Sequence, residues 1–392
     1  MSIAVPRRIL PVIVLSQFAG GSLWFAGNAV IDDLRRELGL PEGALGYVTS
    51  AVQLGFIVGT LVFAFFAVAD LYSPRIVYFA CSLAGAAANA AACMLAADLA
   101  SLLAWRFATG FFLAGIYPVG MKIASGWYQR DLGNALGWLV GALVLGTAFP
   151  HLLKAFGQAL PWEAVLLGAS ALAAAGGLAM LVLVPDGPHL ARGAKFDPGA
   201  LAKIFRAPRF RASAFGYFGH MWELYAFWAF VPVALAAQVA AQAAAPLNVS
   251  LWTFLVIAAG TLGCVAGGLV SMRAGSAPVA FAQLLASGAC CALSPLLFYA
   301  PTSAYLAFVL FWGVAVAGDS PQFSALNAAN APPGLVGSAL TIVNCIGFSL
   351  TIPSIELLNW AAPRMGAQWL FLLLVPGPVL GLAALRPLLR GR

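Results

Sequence analysis

The sequence predicts an all-α membrane protein in which twelve helices cross the bilayer as two bundles of six. Of the 392 residues, 62% are hydrophobic and only 8% are charged, and the mean hydropathy is +0.94. Apolar runs recur along the chain, and the charges fall in the gaps between them. A soluble domain of this length needs a polar surface. Helices in lipid satisfy their own backbone and carry an apolar exterior, so this composition indicates membrane spans.

Each apolar run ends at proline, glycine or a charged residue. The predicted spans cover residues 9–31, 45–69, 76–97, 99–124, 133–156, 162–184, 212–242, 249–272, 277–299, 303–329, 334–360 and 367–385. About 20 helical residues are enough to cross the hydrocarbon core. Asp98 alone divides the third run from the fourth, which predicts a very short turn. The first run is long and lacks a clear cleavage site, so we expect it to be a retained span and not a signal peptide.

The positions of lysine and arginine predict the orientation. With the N-terminus inside, 15 of the 20 lie in inner segments, 4 lie in outer segments and Arg106 lies within a span. Positive residues favour cytoplasmic loops, so we expect both termini in the cytoplasm and the protein in the inner (cytoplasmic) membrane. The net charge of +7 then reflects topology, and no nucleic-acid partner is expected.

The longest polar segment divides the chain into two parts of six spans each. The predicted organisation is an N-terminal bundle over residues 1–184, a linker over 185–211 and a C-terminal bundle over 212–392. Asp197 and Pro198 provide a cap and a first-turn proline for a short surface helix over 199–206. Its basic residues would contact anionic lipid headgroups. Two six-span bundles with a basic linker are typical of transporters that rock about a central site.

Two loops occupy corresponding positions in the two halves, and a third short motif lies in the fourth span. The loop after the second span reads Asp70-Leu71-Tyr72-Ser73-Pro74-Arg75, and the loop after the eighth reads Gly267-Gly268-Leu269-Val270-Ser271-Met272-Arg273-Ala274-Gly275. Arg106 and Gly110 lie four residues apart in the fourth span. Together these motifs resemble those of the major facilitator superfamily, across essentially the whole chain.

The motifs also depart from the family pattern. Phe66 stands where the signature loop usually has glycine, Leu71 where it has a basic residue, and Met272 where the repeat has an acid. The fifth span carries Gly137, Gly141 and Gly146 before Pro150, but it lacks the Gly-Pro pairing of the family's drug–proton antiporters. This departure disfavours multidrug export. Nitrate transport is also disfavoured, because spans two and eight contain no arginine and the dense glycine run of nitrate carriers is absent.

The resemblance implies roles for several charged residues. Asp70 and Arg75 would pair across the cytoplasmic ends of helices and hold one conformation, and Arg273 would be the weaker counterpart in the second half. Spans one, four, seven and ten would line a central cavity. Arg106 would then either hold an anionic group or couple to protonation, since a guanidinium grips a carboxylate with two hydrogen bonds. The alternative is a structural arginine that ties span four to its neighbours.

Ionisable residues within the spans are the main candidates for a site, because charge in lipid is costly and implies a wet cavity or a partner. His220 and Glu223 are three residues apart and so share a helix face, which makes them a candidate proton-binding pair. Asp319 is the other deep acid. Pro321 follows it closely and should kink span ten and free carbonyl groups. For each acid, the alternative is a hydrogen bond between helices that serves only packing.

Aromatic and uncharged polar residues complete the candidate site. Aromatic candidates for stacking on an organic solute, or for packing, are Trp24, Tyr117, Trp222, Tyr225, Trp228 and Trp312. Polar candidates are Gln17, Asn28 and Gln322. His151 and Lys154 lie near the outer mouth, where they would attract anions or contact headgroups. Glu356 and Lys122 are expected near the two interfaces, with Lys122 extending its amine to water.

These features predict a proton-coupled secondary transporter of a small organic solute that works by alternating access as a monomer. Arg106, His151 and Lys154 favour an organic anion, whereas Glu223 and Asp319 favour a cation or a drug exchanged for protons. Proton-driven efflux of drugs or metabolites is therefore the alternative. No Gly-x-x-x-x-Gly-Lys-Ser/Thr sequence is present, so ATP drive within the chain is not expected.

A membrane-embedded enzyme and a non-transporting sensor are the remaining classes. The three histidines lie on different elements, and the six cysteines lie inside spans without metal-ligand spacing. Neither a nucleophile with its base nor a metal centre is indicated. We therefore expect no cofactor, no metal and no catalysis. The short tails argue against a sensor.

Overall fold

The computed structural model describes residues 5–128, 132–156, 161–190, 197, 199–242 and 246–389. Every regular element within this part of the chain is a helix. Eleven helices are long and apolar enough to cross a membrane, and Ile9–Gly21 is a shorter apolar helix at the start of the first crossing. The prediction of twelve spans and an all-α fold is confirmed.

Six spans precede the linker. Span one combines Ile9–Gly21 and Ala26–Ala29, and the charged helix Ile31–Leu38 lies between it and span two. Span two is Ala44–Phe65, span three Pro74–Met94, span four Leu99–Leu113 with Tyr117–Trp127, span five Leu132–Phe156 and span six Glu163–Leu183. The short helix Val68–Leu71 lies in the loop between spans two and three.

Six further spans follow the linker helix, Ala200–Arg206. Span seven is Pro208–Ala241, span eight Val249–Ala274, span nine Ser276–Phe298, span ten Thr302–Gly318 with Ser320–Asn330, span eleven Val336–Ala361, and span twelve a 3₁₀ segment at Ala367–Leu374 with Pro376–Leu389. Span seven begins earlier than predicted because Pro208, without an N–H, is suited to the first turn.

Spans four and ten, which occupy equivalent places in the two halves, are each broken near the middle. Each second segment has a proline in its first two positions, Pro118 in span four and Pro321 in span ten. A proline cannot donate to the carbonyl four residues earlier. In span ten that carbonyl belongs to Ala317, and the Cys264 thiol donates to it at 3.2 Å. The structure thus contains the predicted break beside Asp319.

The linker side of the molecule is the side on which residues 185–190 and 199–211 lie. The Asp197 carboxylate accepts from the Gly199 amide at 2.8 Å, and the Asp197 amide donates to Ser338 Oγ at 3.0 Å. These bonds hold the start of the linker helix against span eleven. Residues 191–196 and Pro198 of the predicted linker, with Arg192 and Lys195, lie outside the described residues.

The short turn between spans three and four is on the opposite side. Asp98 caps span four by accepting from the Ser101 amide at 2.8 Å and from its hydroxyl at 2.6 Å. These donated hydrogen bonds lower the pKa of Asp98 below its ordinary value. The cap therefore has its full strength above the ordinary carboxyl pKa and weakens as the pH falls. The turn that the lone acid predicted is present.

Direct hydrogen bonds join the two halves on the side opposite the linker. Ser50 in span two donates to Glu356 in span eleven at 2.6 Å, and Asn359 donates to the Gly43 carbonyl at 3.0 Å. Nearer the middle, Thr261 in span eight donates to the Gly141 carbonyl in span five at 2.9 Å. Glu356 lies near the end of its span, as expected, but it also holds the halves together.

Glycines set the close approach of spans two and four. A Cβ at Gly110 would collide with the Val52 carbonyl oxygen, and a Cβ at Gly55 would collide with the Phe107 carbonyl oxygen. Small residues at such crossings let helix backbones touch in lipid, where packing replaces the hydrophobic effect as the source of association.

We expect Gly110→Ala to lower the thermal unfolding temperature of the detergent-purified protein, because spans two and four must separate to accommodate the methyl group. Overpacking of this kind costs about 1–3 kcal/mol. Gly337→Ala is the matched control, since a Cβ at this helical position meets nothing within 4 Å. Equal unfolding temperatures for both variants would contradict this packing.

Candidate functional site

Arg106 is completely buried in the first half of the molecule. Span one departs from the α-helix here: the amides of Ser22, Leu23 and Trp24 each bond to the carbonyl three residues earlier. One terminal nitrogen of Arg106 donates to the Leu23 carbonyl at 2.9 Å and to the Trp24 carbonyl at 2.8 Å. The guanidinium thus caps the break, where unpaired carbonyls carry partial negative charge.

The other terminal nitrogen of Arg106 continues into a buried network. It donates to Asn89 Oδ1 in span three at 2.6 Å. The Asn89 amide donates in turn to the Leu166 carbonyl at 2.9 Å and to Ser170 Oγ at 3.0 Å, both in span six. Arg106 therefore joins spans one, three, four and six. Of the two roles left open by the sequence, these contacts match the structural one.

A second buried cluster joins spans seven and ten. His220 Nδ1 lies 2.9 Å from Asp319 Oδ1, and both side chains have no solvent exposure. Both groups can carry charge, so the contact is an ion pair when the imidazole is protonated. His220 Nε2 lies 2.7 Å from Ser320 Oγ. The imidazole thus sits between a carboxylate and a hydroxyl.

Glu223 shares the face of His220 on span seven but has different partners. It is completely buried. Ser287 Oγ in span nine donates to Oε1, and the Cys291 thiol donates to Oε2 at 3.3 Å. Both carboxylate oxygens are thereby hydrogen-bonded between spans seven and nine. Asp319, not Glu223, is the residue that the structure brings next to His220.

A small central cavity of about 30 Å³ lies between the two halves. Spans four and five line it from one half, and spans seven, ten and eleven from the other. Its polar wall consists of hydroxyl-bearing residues: Tyr117, Tyr217, Tyr225, Ser320 and Ser324. Ser320 therefore lines the cavity and contacts His220, which connects the His220–Asp319 pair to the space between the halves.

A larger vestibule opens on the side opposite the linker. Its volume is about 570 Å³, and Asn28, Arg35 and His151 are among its lining residues. An aromatic cluster separates it from the central cavity. The cluster consists of buried rings from both halves: Trp24, Phe25, Phe56, Tyr225, Trp228 and Phe348. Trp24 stacks on Phe348 with ring centroids 5.6 Å apart, so the cluster closes the path between the two spaces.

The remaining candidates are distributed over the structure. Tyr117 lines the central cavity, and Asn28 lines the vestibule while donating to Thr49 Oγ1 at 2.7 Å. Gln322 is buried in span ten. Trp222 instead faces span twelve, where its indole donates to the Leu373 carbonyl at 3.2 Å. Of the described residues, no group of three or more His, Cys, Asp or Glu is placed to hold a metal ion.

The proposed gating residues lie on the linker side with partners of their own. Asp70 forms an ion pair with Lys122 of span four at 2.6 Å, and Lys122 also donates to the Ala69 carbonyl. Arg75 donates to the Leu181 carbonyl at 3.4 Å, not to Asp70. Arg273 is exposed at the end of span eight. Lys122 is thus the basic partner of Asp70, which the sequence motif did not indicate.

Several site residues were not predicted. Asn89, Ser287 and Ser320 each complete a buried polar contact, and Tyr217 lines the central cavity. Their signal in the sequence is weak, because single serine, asparagine and tyrosine residues are common in membrane helices. Only the charged residues they contact are rare enough to stand out.

The fold and the buried site define a polytopic membrane protein with a buried polar cluster in each half and a cavity between the two six-span halves, which is the architecture of a solute transporter. The family model of the Major Facilitator Superfamily matches residues 13–353. The chain belongs to this superfamily.

Solved structures share the fold over nearly the whole chain. The proton:xylose symporter XylE, bound to 6-bromo-6-deoxy-D-glucose, is 13% identical with a TM-score of 0.75 and covers 95% of this chain and 94% of its own. A point mutant of the nucleoside transporter NupG is 16% identical with a TM-score of 0.72, and the match covers 97% of this chain and 100% of the NupG chain. The human organic anion transporter MFSD10 (TETRAN) is 16% identical with a TM-score of 0.68, and the match covers 97% of this chain and 99% of the MFSD10 chain. No curated protein sequence matches the chain.

We expect Arg106→Gln to destabilise the first half, because it removes a charge and leaves buried acceptors without donors. A buried unsatisfied group costs about 1–3 kcal/mol, so the thermal unfolding temperature in detergent should fall clearly. Arg364→Gln is the control, since Arg364 is exposed and stacks on Trp360. An Arg106→Gln variant of unchanged stability that fails only to bind solute would instead assign Arg106 to the substrate.

Proposed function

We propose that this protein is a proton-coupled secondary active transporter that moves a small organic solute by alternating access. The halves over residues 1–184 and 212–392 would rock about the central cavity, with residues 185–211 as the linker between them. The observation that carries the proposal is the buried His220–Asp319 pair, which reaches the cavity through Ser320.

The pair has the chemistry of a proton-binding site. A carboxylate buried away from water is costly, and either a proton on the carboxylate or an imidazolium beside it lowers that cost. His220 and Asp319 are 2.9 Å apart, so a proton can be held by either residue. Ser320 contacts the imidazole and faces the solute space. Its hydrogen bonding therefore depends on whether the imidazole is protonated, which couples solute binding to proton binding.

The contacts that close the path between the vestibule and the central cavity support alternating access. The aromatic cluster and the Ser50–Glu356 and Asn359–Gly43 hydrogen bonds hold the halves together on the side opposite the linker. Opening that side requires these contacts to break. Both hydrogen bonds are part-buried. A hydrogen bond contributes a net of about 0.5–1.5 kcal/mol, or about 1.5–3 kcal/mol when it involves a charged group, so a bound solute or proton can shift the balance between states.

The residues that line the central cavity indicate which class of substrate it would bind. Tyrosine and serine hydroxyls line it, and among the described residues no lysine or arginine does. Arg106, on which the organic-anion expectation depends, uses both terminal nitrogens within the first half. We therefore favour an uncharged organic solute with hydroxyl or other hydrogen-bonding groups. The similar folds of a xylose symporter and a nucleoside transporter agree with this class.

An organic anion remains the second candidate. The similar fold of an organic anion transporter supports it, and Arg35 and His151 line the vestibule through which an anion would pass. A cation or drug exchanged for protons is the third, supported by Asp319, a completely buried acid next to Ser320 of the cavity wall. A panel of neutral, anionic and cationic solutes, tested in proteoliposomes with an imposed pH gradient, separates the three classes.

The coupling role of Asp319 has a direct test. A gradient of one pH unit stores about 1.4 kcal/mol per proton, so one-to-one symport should accumulate solute about tenfold. We expect Asp319→Asn to abolish this accumulation while solute exchange without a gradient persists, because the neutral amide cannot cycle a proton. Glu223→Gln is the matched control, since Glu223 is equally buried but bonded to span nine.

The opposite result would reassign the proton site. If Glu223→Gln lost proton-driven accumulation while Asp319→Asn kept it, Glu223 would be the coupling residue. If both variants accumulated solute like the wild type, transport would not depend on protons at either acid.

A further inference from the structure

An apolar groove of about 680 Å³ lies on the outer surface of the second half, away from the central cavity. It runs between spans seven, eleven and twelve and ends at the linker helix. Its lining includes Phe205 of the linker helix, Trp222 of span seven, Ile346 of span eleven and Leu380 of span twelve. Leu380 is 69% exposed, so the groove is open to the bilayer.

The wall of the groove on span seven forms a stripe with a charge at one end. Phe215, Phe218 and Trp222 line the groove, and Arg211 precedes Phe215 by four residues on the same helix face. The stripe from Arg211 to Trp222 is about 16 Å long at 1.5 Å per residue. This is close to half of the roughly 30 Å hydrocarbon thickness, which is the depth of one lipid leaflet.

Basic residues surround the end of the groove at the linker. Lys203, Arg206, Arg209 and Arg211 are all exposed. Arg211 donates to the carbonyl of Phe205, whose side chain lines the groove, at 3.4 Å. Of the four, only Lys203 forms an ion pair with a described acid, Asp197. The basic residues lie where a lipid headgroup would lie, and the apolar groove is about as long as one leaflet is deep. Together they are complementary to the phosphate and an acyl chain of one anionic phospholipid.

We propose that this groove binds a single anionic phospholipid, with an acyl chain along Phe215, Phe218 and Trp222 and the phosphate near Arg206 and Arg211. The lipid would fix the linker helix to spans seven and twelve. Zwitterionic phospholipids can fill the groove with their chains but lack the net negative charge that the arginines select. Binding therefore has two separable parts, occupancy of the groove and choice of headgroup.

Trp222 provides the probe, because bromine on an acyl chain quenches indole fluorescence on contact. The purified protein is reconstituted with brominated phosphatidylglycerol or brominated phosphatidylcholine. The chain has 11 tryptophans, so the Trp222 signal is taken as the difference between the wild type and Trp222→Phe. We expect half-maximal quenching at an about fivefold lower fraction of the anionic lipid, the effect of one basic residue at the membrane surface.

Arginine variants test the choice of headgroup, and a groove variant tests occupancy of the groove. Arg211→Gln should reduce the preference for the anionic lipid, and Arg206→Gln provides a second test should the first fail to fold. Ile346→Phe should reduce quenching by both lipids by narrowing the groove. Arg364→Gln, an exposed arginine beside Trp360 on the side opposite the linker, should change neither. Equal quenching by the two lipids in the wild type, or a preference that survives both arginine variants, would overturn the proposal.

Discussion

The Arg106 network is the constraint on which the first half depends. Span one must leave the α-helix at Ser22 to Trp24, and the carbonyls of Leu23 and Trp24 would be unpaired in a water-free interior without a donor. A guanidinium carries several donors in a fixed plane, so one side chain serves both carbonyls and Asn89. The same bonds hold the backbone of Trp24, whose ring forms part of the aromatic cluster. The closure between vestibule and cavity thus depends on a buried charge in span four.

The two halves use buried ionisable groups differently. In the first half, both terminal nitrogens of Arg106 bond to neighbouring spans, which gives one rigid arrangement. In the second half, the Asp319 carboxylate contacts the ionisable His220 at 2.9 Å. Hydrogen bonds from both terminal nitrogens hold the guanidinium in place, whereas a buried carboxylate beside an imidazole can be neutralised by a proton. Under the proposed proton coupling, the first half would therefore act as a fixed wall and the second half would carry the proton.

The sequence predicted the number of spans because a long apolar run has one stable structure in lipid. It also located the buried charges, since these are costly and therefore rare. It did not predict the partners. His220 and Glu223 share a helix face as the spacing requires, yet one contacts span ten and the other span nine. Side chains three residues apart differ in direction enough to reach different helices, and only packing decides which. For the same reason Trp222 contacts span twelve while Tyr225 lines the cavity.

The breaks in spans four and ten offer a physical route for movement around the cavity. Each break has a proline in the first turn of the second segment, so the missing hydrogen bond lets one segment tilt against the other. Tyr117 begins the second segment of span four and Ser320 that of span ten, and both line the cavity. Asp319 lies at the break itself, beside the imidazole that contacts Ser320. Under the proposed proton coupling, a proton gained or lost at this pair would act at the break in span ten, where a local change of charge can tilt the following helical segment.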